Sequence, residues 1–442
     1  MHDASPQVVP VSKLPHFDAV VLGAGISGLV AASVLAEKGE RTLVIDDYGH
    51  VGGNHMDWTS HDGYTFDVGS LIFQDDSPLL RHFPELLGHY LPIAPTWGRL
   101  NPQGKITDYP ISVRDDIMAA GPVGLTRIAL SVLYARLFCK RMANARDFAR
   151  YWIGDYLLKR SGLETYMKRF YGIAPEQIDL DLARKRMGWI SEHASIGTLL
   201  RKLLRSRTAA GPVNCQLARP KDGFASLYDV AVERLTKAGV SFRLSAGTQN
   251  IRKIDSGFEI TFDGGVVFTR RVISTIPIPA AERLCGMASQ SALDTITLIS
   301  LYFSFAGERG FSQSIIYNFS HYGAWKRLTV YSDFYGRVNG REYFAVEVIA
   351  GGDVRSVDQA KEDFRRHTQA NGLFTGELTL EGSQVLESAY PIYSKGAAQH
   401  AAQAIDALRA FGIESMGRQG GFNYQPTARV STIEVEAALG RN

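Results

Sequence analysis

The chain has 442 residues, of which 45% are hydrophobic and 21% charged, and a formal net charge of +3. That composition is ordinary for a globular protein, the length suggests about two or three domains, and the near-balanced charge carries no signature of nucleic-acid binding. Three widely separated cysteines, Cys139, Cys215 and Cys285, exclude a disulfide framework and any CxxC metal site. Their odd number fits a reducing compartment, and residues 1–17 lack the apolar core of a secretory signal, so a cytoplasmic location is expected.

In chain order, the first element is the apolar run "FDAVVLGAG", which reads as a central parallel strand buried on both faces. Gly23 allows a tight turn, Gly25 lets backbone approach a pyrophosphate, and Gly28 permits close packing of helix on strand. The spacing predicts a helix over 26–38 whose N-terminal amides face the phosphates, ending at Gly39. "RTLVID" is the second strand, and Asp46 at its end is placed to accept hydrogen bonds from a ribose diol. An acid there disfavours a 2′-phosphate, so of NAD, NADP and FAD the weakest candidate is NADP. A glycine doublet, Gly52 and Gly53, follows in "DYGHVGGNHMDW" and can fold back over the same pyrophosphate. Next comes a hairpin-like stretch, "HDGYTFDVGSLIF", with Asp67 and Gly69.

Residues 76–214 carry helical patterns, including "DFARYWIGDYLLKRSGLETYMKRFYG". No run offers the roughly 20 uninterrupted apolar residues of a spanning helix. The nearest, 121–139, is broken by Arg127 and Arg136 and predicts a partly buried helix, with peripheral membrane contact as the alternative. The basic run "RKLLRSR" at 201–207 reads as a solvated helix face. Residues 290–384 read as strands, among them "DTITLISLYFSFAG", "SIIYNF", "KRLTVYSDF" and "REYFAVEVIAG".

The pattern GxGxxG, an acid, a glycine doublet, then a D-x-G turn before an apolar strand resembles the large FAD-dependent family of amine oxidases, protoporphyrinogen oxidases, carotenoid desaturases and UDP-galactopyranose mutases. "RPKDGFASLYDVAVERLTKAGVSFRLSAGTQNIRKI" is similar to that family's second cofactor segment, with Thr248 where a valine is common. "GIESMGRQGGFNYQPTARVSTIEVEAAL" is similar to its last flavin segment, with Gly417, Arg418 and a final helix from about Ser431. The resemblance implies an α/β fold, a discontinuous FAD-binding Rossmann-type (glutathione-reductase-like) domain made of 18–75, 215–285 and 385–442. A mixed α+β substrate domain would comprise the helical insertion 76–214 and the sheet 290–384. The implied cofactor is FAD and the implied partner a small-molecule substrate.

Within this resemblance the reading favoured is an FAD-dependent oxidoreductase that removes a hydride from an organic substrate. A UDP-sugar mutase working on reduced flavin is the alternative, and a non-catalytic flavin-binding protein the third. The mutase G-x-H-x-F-H stretch is replaced here by "GSLIFQD", whereas Asn54 and "DYPIS" are mutase-like. Substrate-side candidates are Arg327 and Tyr331, expected on one face of a roof strand, and Tyr424. His55 and His61 are candidate proton carriers. No catalytic residue and no metal cluster can be named from the sequence.

Overall fold

Strand His16–Leu22 is apolar and its centre is fully buried because it is flanked on both edges by parallel strands. Val21 stands in register with Val44 on one side and Ile273 on the other. In this computed structural model, residues 16–68, 72–193, 215–288, 293–352, 354–423, 425 and 427–440 are described. Gly69, Tyr424 and the basic run 201–207 lie outside them.

The first sheet runs in the order Ser241–Arg243, Thr42–Ile45, His16–Leu22, Gly265–Ser274, Gly257–Phe262, Asn250–Ile254, and Ile413–Ser415 also pairs with Gly265–Ser274. Distant stretches of chain thus share one sheet. Helix Ile26–Glu37 follows the first strand, and every residue from Ile26 to Leu35 is buried. It packs between the sheet and the C-terminal helix Ala428–Ala438. Leu29, Val30, Val34 and Leu35 are at most 1% exposed, and each such side chain contributes about 1.5–3 kcal/mol by leaving water.

The second sheet has the order Phe374–Pro391, Thr295–Arg309, Glu342–Ile349, Trp325–Val330, Ile315–Asn318, Trp97–Leu100, Ile106–Asp108. Its pairs are antiparallel except Ile315–Asn318 with Trp97–Leu100. One face, with Leu301, Phe303, Phe344 and Leu328, is covered by helix Val357–Ala370 through Phe364. The other face, with Tyr302, Tyr317 and Tyr343, meets the hairpin Asp57–Thr59/Thr65–Asp67 and the helices Ala145–Arg160 and Leu163–Tyr171.

Three expectations are corrected. Residues 76–214 are not only helical, because Trp97–Leu100 and Ile106–Asp108 extend the second sheet. Position 385 falls inside strand Phe374–Pro391. Helix Gly121–Phe138 is mostly exposed instead of partly buried: only Gly124, Ile128 and Ala135 are buried along it.

At Gly28 an added Cβ would lie 1.8 Å from the Gly23 carbonyl oxygen, so helix and strand can meet this closely only with glycine there. Gly28→Ala should cost about 1–3 kcal/mol or more in a urea melt. Gly88→Ala, with nothing within 4 Å of the new methyl, should be nearly neutral. Equal costs would contradict this packing.

Candidate active site

The opening turn and the glycine doublet touch backbone to backbone. Gly25 and Gly52 form an isolated parallel bridge, and the Gly52 N–H donates to the Ala24 carbonyl at 2.9 Å. Asp46 closes the turn from below: its carboxylate accepts from the Ala24 N–H at 2.6 Å and the Tyr48 N–H at 2.9 Å. Burial raises the Asp46 carboxyl above its usual value, and these two amides pull the other way. Thr248 sits nearby, its N–H and Oγ1 donating to Asp47 Oδ1 at 2.8 and 2.9 Å.

From the doublet a cavity of about 310 Å³ leads toward the second sheet. Its lining includes Ile26, Ser27, Gly52, Gly53, Asn54 and His55 by the opening turn, with Thr275, Arg418 and Gln419. It also includes an aromatic set, Phe170, Tyr171, Tyr317, Tyr390 and Tyr393, which forms the aromatic chamber. The cavity therefore brings together Gly52, Gly53, Asn54, Arg418 and Arg327. Gly23, Gly25, Gly28, Asp46 and Thr248 stand at or behind the turn and do not line it.

Two segments grip the strand end that carries Tyr390. Asn54 Nδ2 donates to the Ala389 carbonyl at 3.2 Å, and Gln419 Nε2 donates to the Ser388 carbonyl at 3.2 Å. Gly417 has φ +82°, and a Cβ on it would lie 2.5 Å from Ser27 Oγ, so a glycine lets this loop lie against the opening turn. Arg418 then stacks its guanidinium over Tyr390 at 5.4 Å from the ring centre. Lys326 Nζ lies 5.2 Å from the centre of the same ring and 5.1 Å from that of Phe170.

Lys326 and Arg327 are consecutive on a strand, yet both reach Glu347 on the neighbouring strand: Lys326 Nζ at 2.9 Å, Arg327 through a hydrogen bond. A register shift between Trp325 and Arg327 makes this possible, since a bulge re-aims one side chain. Burial alone would raise the Glu347 carboxyl, but Arg327 and Lys326 hold it below the usual range. Arg327 keeps its Nε without a hydrogen-bond partner among the described residues. Two cations thus face one carboxylate along a lining that also includes Arg418.

Tyr331 corrects the paired roof-strand expectation. The strand ends at Val330, and Tyr331 is helical, opening the turn Ser332–Tyr335. Its hydroxyl donates to the Asp67 carbonyl at 3.4 Å, in the core and away from the cavity lining. Asp67 itself is buried against Arg219, which stacks on Tyr335 at 4.8 Å, so this part of the D-x-G turn is a structural tie. His61 is exposed beside Asp62, whereas His55 lines the cavity. The chamber residues Lys326, Glu347, Tyr317, Tyr390, Tyr393, Phe170 and Tyr171 were not singled out by sequence. The available signal was a glutamate and a Lys-Arg pair set within apolar strands.

Burial, with Arg418 adding to it, pushes the His55 ring down from 6.5 to about 4. Tyr228 keeps its proton because burial raises it well above its usual value, and its hydroxyl is hydrogen-bonded to His55 Nδ1. A depressed histidine contributes stability that is complete above pH 6.5 and is lost as pH falls toward about 4. The denaturation midpoint should therefore fall more steeply across that window in the parent chain than in His55→Gln. Parallel curves would contradict a buried neutral ring.

Residues 21–85 match the family model of the NAD(P)-binding Rossmann-like domain. Over 69 residues, 16% of this chain and 12% of the relative, the sequence is 45% identical to prolycopene isomerase 2 of an Oncidium hybrid cultivar. It is 26% identical over 310 residues to protoporphyrinogen oxidase 1 of Arabidopsis thaliana, covering 63% of this chain. The chain spans 56% of that relative. The fold is similar to that of a UDP-galactopyranose mutase, with TM-score 0.75, 18% identity and coverage of 96% of this chain and 94% of the other. Putrescine oxidase superposes with TM-score 0.58 at 14% identity, over 96% of this chain and 98% of the other. The chain thus carries a Rossmann-like nucleotide-binding segment, is similar in sequence to protoporphyrinogen oxidases over part of its length, and shares its fold with UDP-galactopyranose mutase.

Proposed function

We propose that the chain binds FAD lengthwise, from the opening turn into the cavity, and acts as an FAD-dependent oxidoreductase that removes a hydride from an organic substrate. The observation that carries this reading is one cavity whose lining joins Ser27 and the glycine doublet, Thr275 and Arg418 to the aromatic chamber. In this reading Gly23, Gly25 and Gly28 give backbone room at the pyrophosphate, with Gly52 and Gly53 on its far side. Asp46 holds the adenosine ribose, and Thr248 belongs to the loop beside it. Asn54, Gly417 and Arg418 flank the flavin end. The segments 18–75, 215–285 and the chain beyond strand Phe374–Pro391 then form the cofactor domain, and 76–193 with the second sheet through Pro391 the substrate domain.

FAD, when bound, supplies the two-electron acceptor; the chain supplies shape and charge. The tyrosines and Phe170 exclude water from the chamber and offer flat surfaces to a substrate. Arg327 and Lys326 line the cavity and favour a substrate carrying an anionic group. Glu347 is committed to two cations and is a poor proton acceptor, whereas His55 is neutral and lines the same cavity. A second reading, a UDP-sugar mutase, draws support from the same cations, which suit a diphosphate, and from the fold match to UDP-galactopyranose mutase.

Anaerobic mixing with amines, reduced porphyrin precursors and UDP-sugars separates these readings. Bleaching of the flavin by an oxidisable substrate supports the oxidoreductase. Isomerised sugar formed only after dithionite reduction supports the mutase, and no reaction with any of them overturns both. Asp46→Ala should weaken FAD retention about tenfold or more, from loss of a charged hydrogen-bond acceptor, with Asp47→Ala far milder. Equal losses, measured by dialysis and flavin absorbance, would show that the ribose acid is misassigned.

A further inference from the structure

Helix Gly121–Phe138 is apolar, long and largely uncovered. Val123, Leu130, Tyr134 and Leu137 are 67%, 60%, 61% and 55% exposed and recur at a spacing that puts them on one face. Phe138, 72% exposed, closes the row. Isolated exposed leucines are common, but a contiguous row along one helix marks an interaction surface. Among the described residues the opposite, narrow face packs on helix Ala145–Arg160, where Gly154 leaves room for Ser131 and Val132.

The charge around this row has one sign. Between Asp116 and Asp147 the chain has no aspartate or glutamate, while it carries Arg127, Arg136, Lys140, Arg141 and Arg146. Arg136 is used internally, stacked on Tyr151 and Trp152, and Arg146 is paired with Glu164. Arg127, Lys140 and Arg141 are exposed.

We propose that this helix seats the protein on one leaflet of an anionic lipid membrane, lying in the interfacial plane with its apolar row among the acyl chains. Among the described residues the one stretch long and apolar enough to cross a membrane by length and composition is Val113–Phe138, 26 residues of which this helix is the last part. Its geometry argues against crossing. The turns ahead of Gly121 carry Arg114, Asp115 and Asp116, which a hydrocarbon core would not accept. Both ends also return to the same folded body. Asp116 is fully buried against Arg99, and Asn144 caps helix Ala145–Arg160 by accepting from the Asp147 N–H at 2.8 Å. That next helix carries Arg146, Asp147, Arg150 and Asp155 and cannot follow into lipid. The partner is lipid in preference to a second copy, because two copies would bring like-charged Arg127, Lys140 and Arg141 rows together. Anionic headgroups complement those rows while Arg127 reaches up to them along its aliphatic stem. The inference does not depend on the proposed reaction.

The test is sedimentation of the full-length chain with phosphatidylcholine vesicles, with and without phosphatidylglycerol. The chain should sediment with the phosphatidylglycerol vesicles, and less so at high salt. Lys140→Glu/Arg141→Glu should weaken that binding about tenfold or more, since each basic residue at such a surface is worth about 1 kcal/mol. Leu130→Glu/Leu133→Glu should abolish it with an unchanged thermal midpoint, the positions being exposed. Failure to sediment with either vesicle, or equal sedimentation with both, would overturn the proposal. So would a concentration-dependent dimer that Leu130→Glu dissolves, which would assign the face to a second copy.

Discussion

The site depends on one close approach. Gly25 and the Gly52–Gly53 doublet meet as bare backbone, and a Cβ on Gly53 would sit only 3.0 Å from the Gly25 Cα. Because the doublet is fixed there, Asn54 and His55 immediately after it have fixed positions too. Asn54 then ties the strand end before Tyr390, and His55 is held by Tyr228, whose ring packs against Gly52. The two glycine segments thus transmit the geometry of the first sheet to the mouth of the chamber in the second.

Charge in the chamber is held by the same economy of position. Burying Lys326, Arg327 and Glu347 together costs desolvation that their mutual attraction offsets only while all three remain. Removing one partner from such a set leaves an uncompensated buried charge, typically at about 3–5 kcal/mol. A wholly apolar strand pair would fold as well here, so the set is best understood through what it presents to the cavity. It offers a cation-rich wall of Lys326 and Arg327 beside Arg418.

Much of this was legible in the sequence because it is local. The strand, turn, helix and strand from His16 to Ile45 follow from apolar runs and glycine spacing, and the strands of the second sheet from β-branched and aromatic runs. The chamber was not legible, because it is made by pairing. Nothing in "WKRLTV" alone reveals that a bulge turns both Lys326 and Arg327 toward Glu347, nor that Tyr331 starts a helical turn. The strands inside 76–214 were hidden by short length and helical surroundings. Gly121–Phe138 was read as partly buried because an apolar helix ordinarily is, and only its packing partner shows how narrow the covered face is.

The opening turn and the cavity together make one elongated nucleotide site in the proposed reading. Its most direct test is titration of the flavin-free chain with FAD, NAD and NADP, followed by thermal unfolding and flavin absorbance. A ligand that binds only the folded state raises stability by about 2.7 kcal/mol at a hundredfold excess over Kd. The account predicts that FAD binds once per chain and raises the midpoint, while the nicotinamide nucleotides leave it unchanged. A chain that remains colourless and unshifted with FAD, or that responds to NAD instead, would contradict it.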